Sequence, residues 1–383
     1  MSDLLWPGDA RAGDLFTDAA VLAAMVRVEE AWLAARGVPS SLAGLVTPAD
    51  LPLLAREAEG GGNPVIPLLR LLRSRGAPDA LHTGLTSQDV LDTALVLNLH
   101  AACTAVHASL SRQIGSLGEL ADRHRGTRMA ARTLTQHAVP TTFGLKVAGW
   151  LTGVLDARDV LAGVALPVQI GGAAGSLAAP AVVLGSAAGA LDAVARAAGT
   201  LGLAAAPPWH TARAPVTRAA DAMVSCTDAW GKIANDVLLG SRPEVGELSE
   251  SPAEGRGGSS AMPNKQNPVL SVLIRRAALA APPLAATLHT AAADMIDERP
   301  DGAWHVEWAT LRTLARRTVV AADQTAELLA GLRVDADRMA ATLAGARPGI
   351  DAERDKLGAD GPYLGAAGDI IDAVLTRAEV KPC

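Results

Sequence analysis

At 383 residues, with 49% hydrophobic and 19% charged side chains, the chain can bury a large core and is too apolar to be intrinsically disordered. A net charge of −6 leaves no electrostatic footprint for nucleic acid or for an anionic membrane surface, although local basic patches for a small anion stay open. Aromatic residues make up only 3%, and the heavy use of Ala and Leu favours close-packed helices over sheets.

The opening MSDLLWPGDARAG has no basic stretch followed by an apolar core, so no signal peptide is read. Residues 18–36 place Val21, Leu22, Met25, Val28, Trp32 and Leu33 at helical spacing, with Asp18 as the expected cap. Gly37, Pro39 and Pro48 end that pattern. Residues 51–59 and 65–75 predict two shorter helices separated by GGGNP, so 1–80 reads as a small helical domain.

From Leu81 the sequence LHTGLTSQDVLDTALVLNL offers Thr86, Ser87 and Asp89 for the first turn of a long helix whose Val90, Leu91, Leu95 and Leu99 share one broad face. A helix start carries free N–H groups and partial positive charge, so Thr86 and Ser87 can cap the helix or bind a carboxylate. His82 is either a hydrogen-bonded loop histidine or a site residue. Residues 132–144, RTLTQHAVPTTFG, read as a connection into a second long helix, KVAGWLTGVLDARDVLAGV. Within it Gln136 and His137 either satisfy loop backbone or face a ligand.

QIGGAAGS at 169–176 interrupts the helical pattern and lacks the Gly-Lys-Ser/Thr ending of a phosphate-binding loop. A third helix is expected over 180–203, a junction at PPWHTAR (207–213), a fourth helix over 216–239 and a fifth from 269 toward 296. The uncharged stretch 277–293 is shorter than the ~20 residues of a membrane span and contains Pro282 and Pro283, which predicts a buried, kinked helix. A further helix opens at ERPDGAWHVEW and runs to about 332. The long helices over 81–332 imply a bundle. Beyond it the helices shorten, Gly and Pro break 345–362, and 333–383 reads as an abbreviated C-terminal helical domain. No sustained β-alternation and no repeat period is found. Cys103, Cys226 and Cys383 are odd in number and far apart, which fits reduced thiols in a cytoplasmic protein. No His/Cys spacing suggests zinc.

The densest chemistry lies in EGRGGSSAMPNKQNPVL, residues 254–270. Gly255, Gly257 and Gly258 let backbone N–H groups turn toward an anion, Lys265 adds a positive charge and Asn267 a neutral amide, a combination suited to a substrate with carboxylates. The alternative is a helix-capping turn, since Pro268 is an ordinary early-helix residue.

SSAMPNKQNP resembles the signature loop of the fumarase/aspartase superfamily, usually GSSxMPxKxNP. HTGLTSQD resembles that family's first conserved region, H-x-G-x-T-S-x-D in its adenylosuccinate lyase and carboxymuconate cycloisomerase branches. Residues 132–144 resemble the second, R-T-H-x-x-x-A-x-P-T-T-F-G in the adenylosuccinate lyases, with Leu134 where that branch has a catalytic histidine and His137 three residues further on. The resemblance implies an all-α fold whose long five-helix bundle assembles into the helical core of a homotetramer, with active sites shared between chains. It implies that Ser259, the first serine of the pair, is the catalytic acid/base and that His137 is a second catalytic candidate. Lys265 and Asn267 would hold substrate carboxylate, His82, Thr86, Ser87, Arg132 and Gln136 would contact substrate, and the loop at 169–176 would bring backbone groups toward it. Neither cofactor nor metal is implied, and no nucleic-acid or membrane partner.

Leu134, GAWHVEW and PNKQNPVLSVLIRRA lean toward the carboxymuconate cycloisomerase branch. That likeness implies closure of a small tricarboxylate, 3-carboxy-cis,cis-muconate, to its lactone in protocatechuate (β-ketoadipate) catabolism. The alternatives are a fumarate-releasing lyase like adenylosuccinate lyase, which the missing histidine weakens, and a non-catalytic helical scaffold of the same fold.

Overall fold

Long apolar stretches bounded by capping residues dominate the chain, and they fold as helices. The computed structural model describes residues 3–380 apart from 260, 263–264 and 359, so Ser260 and Cys383 lie outside the described residues. In chain order the first helices are α1 (Asp18–Ala35), α2 (Leu51–Gly61), α3 (Val65–Ser74) and α4 (Ser87–Arg123). An antiparallel hairpin, β1 (Arg128–Thr133) and β2 (Gln136–Thr142), leads into α5 (Phe143–Ala162), α6 (Ala178–Val183), α7 (Ala187–Leu201) and α8 (Ala214–Gly240). The remainder is β3 (Leu248–Ser249), α9 (Val269–Ala293), α10 (Gly302–Ala330), β4 (Arg333–Val334), α11 (Ala336–Lys356) and α12 (Ala367–Glu379), with β3 and β4 paired antiparallel.

Two compact units are formed, each from three stretches of chain. The first comprises Met1–Ala105, Val164–Asp221 and Pro283–Arg317, the second Val106–Gly163, Ala222–Pro282 and Thr318–Cys383. In the first, α1 packs on α7, and Phe16, Trp32, Leu33, Leu68, Leu72 and Leu81 are fully buried. In the second, Leu110, Leu117, Phe143 and Trp230 are fully buried. Trp230 Nε1 donates to Gln113 Oε1 at 2.7 Å and Gln113 Nε2 to the Ala322 carbonyl at 2.8 Å, so α4, α8 and α10 share one satisfied polar tie.

Several local expectations need correction. The α1 cap is Thr17, whose Oγ1 accepts from Ala20 N at 3.2 Å, while Asp18 sits in the first turn, where it complements the helix dipole. The helix expected over 180–203 is two helices. Gly185 at φ +77° ends the first, and Ser186 caps the second by accepting from Gly189 N at 3.0 Å. The connection at 132–144 is largely the β-hairpin. Its two-residue turn is Leu134-Thr135 with φ +48° and +71°, the left-handed pair that closes a tight hairpin, here without the usual Asn-Gly signal.

Packing also overrides the expected breaks near the C-terminus. α11 runs through Gly345 and Gly349 because it lies on β1 and β2, where Leu343 and Ile350 join Ala130 in a buried cluster. α9 continues through Pro282 and Pro283 and is not the buried helix expected. α4 and α9 are both long and apolar enough to cross a membrane by composition; the apolar window of α4 is 67% buried within the protein, that of α9 only 33%. α4 is therefore a core helix, and α9 presents Val272 and Leu279 outward.

His124 stacks edge-on against Phe143 at 5.4 Å, and its pKa is lowered, mainly by burial and then by the charge of Arg123. The unfolded chain protonates this ring near its ordinary value of about 6.5 while the folded chain resists, so stability is full above that pH and falls as pH drops toward the lower folded value. The thermal midpoint should fall from about pH 7.5 to about pH 5.5, and His124→Gln should shrink that fall. An unchanged slope in the variant would remove His124 from the account.

Candidate active site

In the first unit the HTGLTS turn is built around a buried acid. Asp89, wholly inaccessible in the first turn of α4, accepts from Thr86 N at 3.0 Å, half of a capping box. Its two oxygens also accept from Gly171 N at 2.9 Å, Gly172 N at 2.9 Å, Gln169 Nε2 at 3.0 Å and His210 Nε2 at 3.0 Å. The loop at 169–176 therefore directs the N–H groups of Gly171 and Gly172 at Asp89 and not, as expected from the resemblance, at a ligand. Gly171 is obligatory here, since a Cβ would stand 2.6 Å from His210 Cε1 and 2.7 Å from Pro208 Cβ.

One turn along α4, Asp92 enters a second buried cluster. Arg213 Nη1 donates to Asp92 Oδ2 at 2.7 Å and Arg213 Nη2 to Glu307 Oε2 at 2.5 Å, while Trp304 Nε1 reaches Asp92 Oδ1 at 2.8 Å. Burial alone would lower the Arg213 pKa, but the charge of Asp92 and the hydrogen bonds to both carboxylates outweigh it and raise it. Glu307 is pushed up by burial, partly offset by Arg213. The GAWHVEW segment thus supplies Trp304 and Glu307 to the scaffold behind the turn.

The turn itself is gripped from α1. Trp32 Nε1 donates to the Thr83 carbonyl at 2.9 Å, and Arg36 Nη1 to the carbonyls of Thr83 at 3.2 Å and Ala80 at 3.0 Å. His82, at φ +63°, places Nδ1 2.6 Å from Glu29 Oε1. Thr86 Oγ1 accepts from Arg299 Nη1, and Ser87 is half-buried with no side-chain hydrogen bond among the described residues.

The other candidates belong to the second unit. Arg132 is clasped by Glu247 in a bidentate pair at 2.8 and 2.7 Å, so its guanidinium is already engaged. Gln136 and His137 are exposed on β2, and Leu134, standing for the absent histidine, lies 96% exposed at the hairpin tip. A cavity bounded by Arg132, Thr135, Phe143, Asp236 and Glu247 also contains Lys146, whose pKa is lowered mainly by burial against the opposing pull of Asp236.

The signature loop is tied at its ends. Glu250 caps α9 by accepting from Leu270 N at 3.1 Å and from Ser271 N and Oγ at 2.7 Å each. Asn267 donates both its backbone N–H (2.7 Å) and its side-chain amide (3.0 Å) to the Gly257 carbonyl, and Arg256 pairs with Glu327. Of the three loop glycines, Gly255 and Gly257 have left-handed backbone at φ +71° and +80°, and at Gly257 the surroundings also exclude a side chain, since a Cβ would lie 2.7 Å from the Asn267 oxygen. Between these ties Ser259 Oγ accepts from Ala261 N at 3.3 Å and Met262 N at 3.1 Å, and Lys265 is exposed.

The structure thus groups Arg132, Gln136, His137, Ser259, Lys265 and Asn267 in one unit and His82, Thr86 and Ser87 in the other. Among the described residues no hydrogen bond joins the hairpin candidates to Ser259, Lys265 or Asn267. Sequence reasoning missed Glu29, Glu247, Arg213, Glu307 and His210 as participants. Only Glu29 left a usable signal, a carboxylate in line (i, i+3, i+7) with Trp32 and Arg36 on the helix face of the apolar Leu22, Met25 and Leu33.

A family profile described as Lyase matches residues 65–281. The chain is 45% identical over 348 residues to nitrosuccinate lyase of Streptomyces davaonensis, covering 85% of this chain and 73% of that one. It is 42% identical over 339 residues to 3-carboxy-cis,cis-muconate cycloisomerase of Bradyrhizobium diazoefficiens, covering 84% and 72%. The crystal structure of 3-carboxy-cis,cis-muconate lactonizing enzyme from Pseudomonas putida superposes with a TM-score of 0.83 at 30% identity, covering 97% of this chain and 99% of that one.

Asp89→Asn should destabilise the protein by about 3 kcal/mol, because an amide cannot accept from all the donors that converge there and leaves buried N–H groups unmet. Denaturant unfolding measures this, and a loss under about 1 kcal/mol would show that the donors find other partners.

Proposed function

The chain is an enzyme of the fumarase/aspartase superfamily, and from that premise we propose that it cyclises 3-carboxy-cis,cis-muconate to 4-carboxymuconolactone in the cytoplasm. The observation that carries the chemistry of this reading is the state of Ser259, whose hydroxyl oxygen lies under two backbone N–H donors in a loop anchored at both ends, while the choice of substrate is supported by the likeness to the muconate cycloisomerase and its solved relative. One substrate carboxylate attacks the conjugated double bond, and negative charge spreads onto a neighbouring carboxylate as the aci form. Ser259 gives the proton to the adjacent carbon, and the N–H groups of Ala261 and Met262 stabilise the alkoxide left behind. Lys265 carries no ion pair among the described residues and is free to meet a carboxylate. His137 and Gln136, on the exposed face of β2, are further contacts in this reading.

A homotetramer with shared sites is part of the proposal. It is supported by the apolar outward face of α9, with Val272 51% and Leu279 68% exposed, which a partner helix would cover. A second reading, a lyase acting on nitrosuccinate, is favoured by the 45% identity to the Streptomyces enzyme. Both readings use proton transfer next to a carboxylate, so they differ in substrate and not in the role of Ser259.

Purified protein assayed side by side with 3-carboxy-cis,cis-muconate, nitrosuccinate and adenylosuccinate should deplete the muconate absorbance fastest, with or without chelator. Faster loss of nitrosuccinate would install the second reading, and fumarate release from adenylosuccinate would overturn both. Ser259→Ala should lower kcat by about 10²–10⁴-fold with stability changed by under about 1 kcal/mol, and Ser260→Ala should be milder. The reverse ranking would move the acid by one residue. Mixing inactive Lys265→Ala and His137→Ala proteins should restore partial activity in hybrid tetramers; no recovery, with subunit exchange verified, would count against shared sites.

A further inference from the structure

From the contact between α1 and the HTGLTS turn we infer that Glu29 is a positioning residue that makes the Nε2 atom of His82 a charge-compensated proton carrier for a substrate carboxylate. This rests on reading His82 as a site residue of a carboxylate-handling enzyme. Glu29 is wholly buried; Oε1 lies 2.6 Å from His82 Nδ1, and Oε2 is buried with no hydrogen-bond partner. A buried carboxylate with one oxygen unmet is costly, and although the charge of Arg36 offsets part of that cost, the one group its side chain hydrogen-bonds among the described residues is the His82 ring.

The geometry states what Glu29 does for the ring. An acceptor at Nδ1 requires the hydrogen there, which leaves the lone pair of the neutral imidazole on Nε2. Nε2 has no hydrogen-bond partner among the described residues and is absent from their buried orphan atoms, and the side chain keeps 14% of its surface exposed. The ring cannot swing freely. His82 is held at φ +63° by Trp32 and Arg36 on the Thr83 and Ala80 carbonyls, and Gly84 lies so close to Pro180 that a Cβ would come within 2.9 Å.

Glu29, Trp32 and Arg36 project from one face of α1, so a single helix orients the ring and clamps its backbone. In use, Nε2 binds one proton from solvent and presents it to a carboxylate beside Thr86 and Ser87. The Glu29 carboxylate balances the imidazolium; one O–H bond of hydronium is exchanged for the Nε2–H bond, and the proton stays on nitrogen as a hydrogen bond to the substrate carboxylate. The other charges around the pair are Arg36, Arg73, which donates to the Leu81 carbonyl at 3.4 Å, and Arg299 on Thr86.

The test is Glu29→Gln, which keeps the volume and removes the charge. We expect a thermal midpoint equal to or above wild type and a kcat/KM lower by about 10²-fold, on whichever carboxylate substrate wild type turns over. Glu29→Asp should recover part of the loss. In a His82→Gln background Glu29→Gln should cost nothing further. Nitrogen NMR of the His82 ring should show the Nδ1–H tautomer in wild type and its loss in Glu29→Leu, which removes the acceptor altogether. An unchanged tautomer, an undiminished kcat/KM, or an equal loss in the His82→Gln background would overturn the assignment. If wild type turns over none of the substrates, the functional reading fails, while the tautomer and midpoint still judge Glu29.

Discussion

The carboxylate of Asp89 is the constraint on which the first unit depends. It is inaccessible to water, yet five donors from three separated segments meet it: the start of α4, the loop residues Gln169, Gly171 and Gly172, and His210. A charge buried this deeply persists only if nearly every lone pair is answered, so each donor must be in place for the others to be worth having. That mutual requirement sets where the HTGLTS turn stands relative to the loop at 169–176 and the PPWHTAR junction. Asp92, one turn further along α4, repeats the arrangement with Arg213, Trp304 and Glu307. Two acids three residues apart on one helix face thus gather the connections of this unit around a polar spine.

The second unit treats its functional stretch differently. The signature loop is fastened where Glu250 caps α9 and where Asn267 closes on Gly257, and between those ties the described residues add backbone donors to Ser259 and the Gln266 amide on the Arg256 carbonyl. Asn267 shows the consequence for residue roles. Its side-chain amide closes the loop here, so its first task is to hold Ser259 and Lys265 in register, and any contact with substrate is added to that. Arg132 is similarly engaged with Glu247, which orients the guanidinium and leaves the basic character of the neighbouring cavity to Lys146, Lys232 and Arg242.

How much was legible beforehand follows from how local each feature is. Helical periodicity needs only neighbours in sequence, so α1, α8 and α10 were readable within a few residues of their observed ends and α4 at its start. The signature loop was readable because an ordered run of residue types carries its chemistry, and the family follows from it together with the two earlier regions. The hairpin was not, because Leu134 and Thr135 adopt left-handed backbone without a glycine or asparagine to announce it. Nor was the continuity of α11, where packing on β1 and β2 outweighs the helix-weakening cost of Gly345 and Gly349.

By itself, then, the sequence determined the all-α class, the superfamily and the identity of the candidate residues, since all three are written in residue types and short spacings. Only the tertiary structure decided what those residues are already bound to. Glu29 beside His82, Glu247 on Arg132 and the donors around Asp89 are partners 53, 115 and up to 121 positions away in the chain. Hydrogen bonds and ion pairs act over a few ångströms of space and are indifferent to sequence separation, so no local pattern could have announced them.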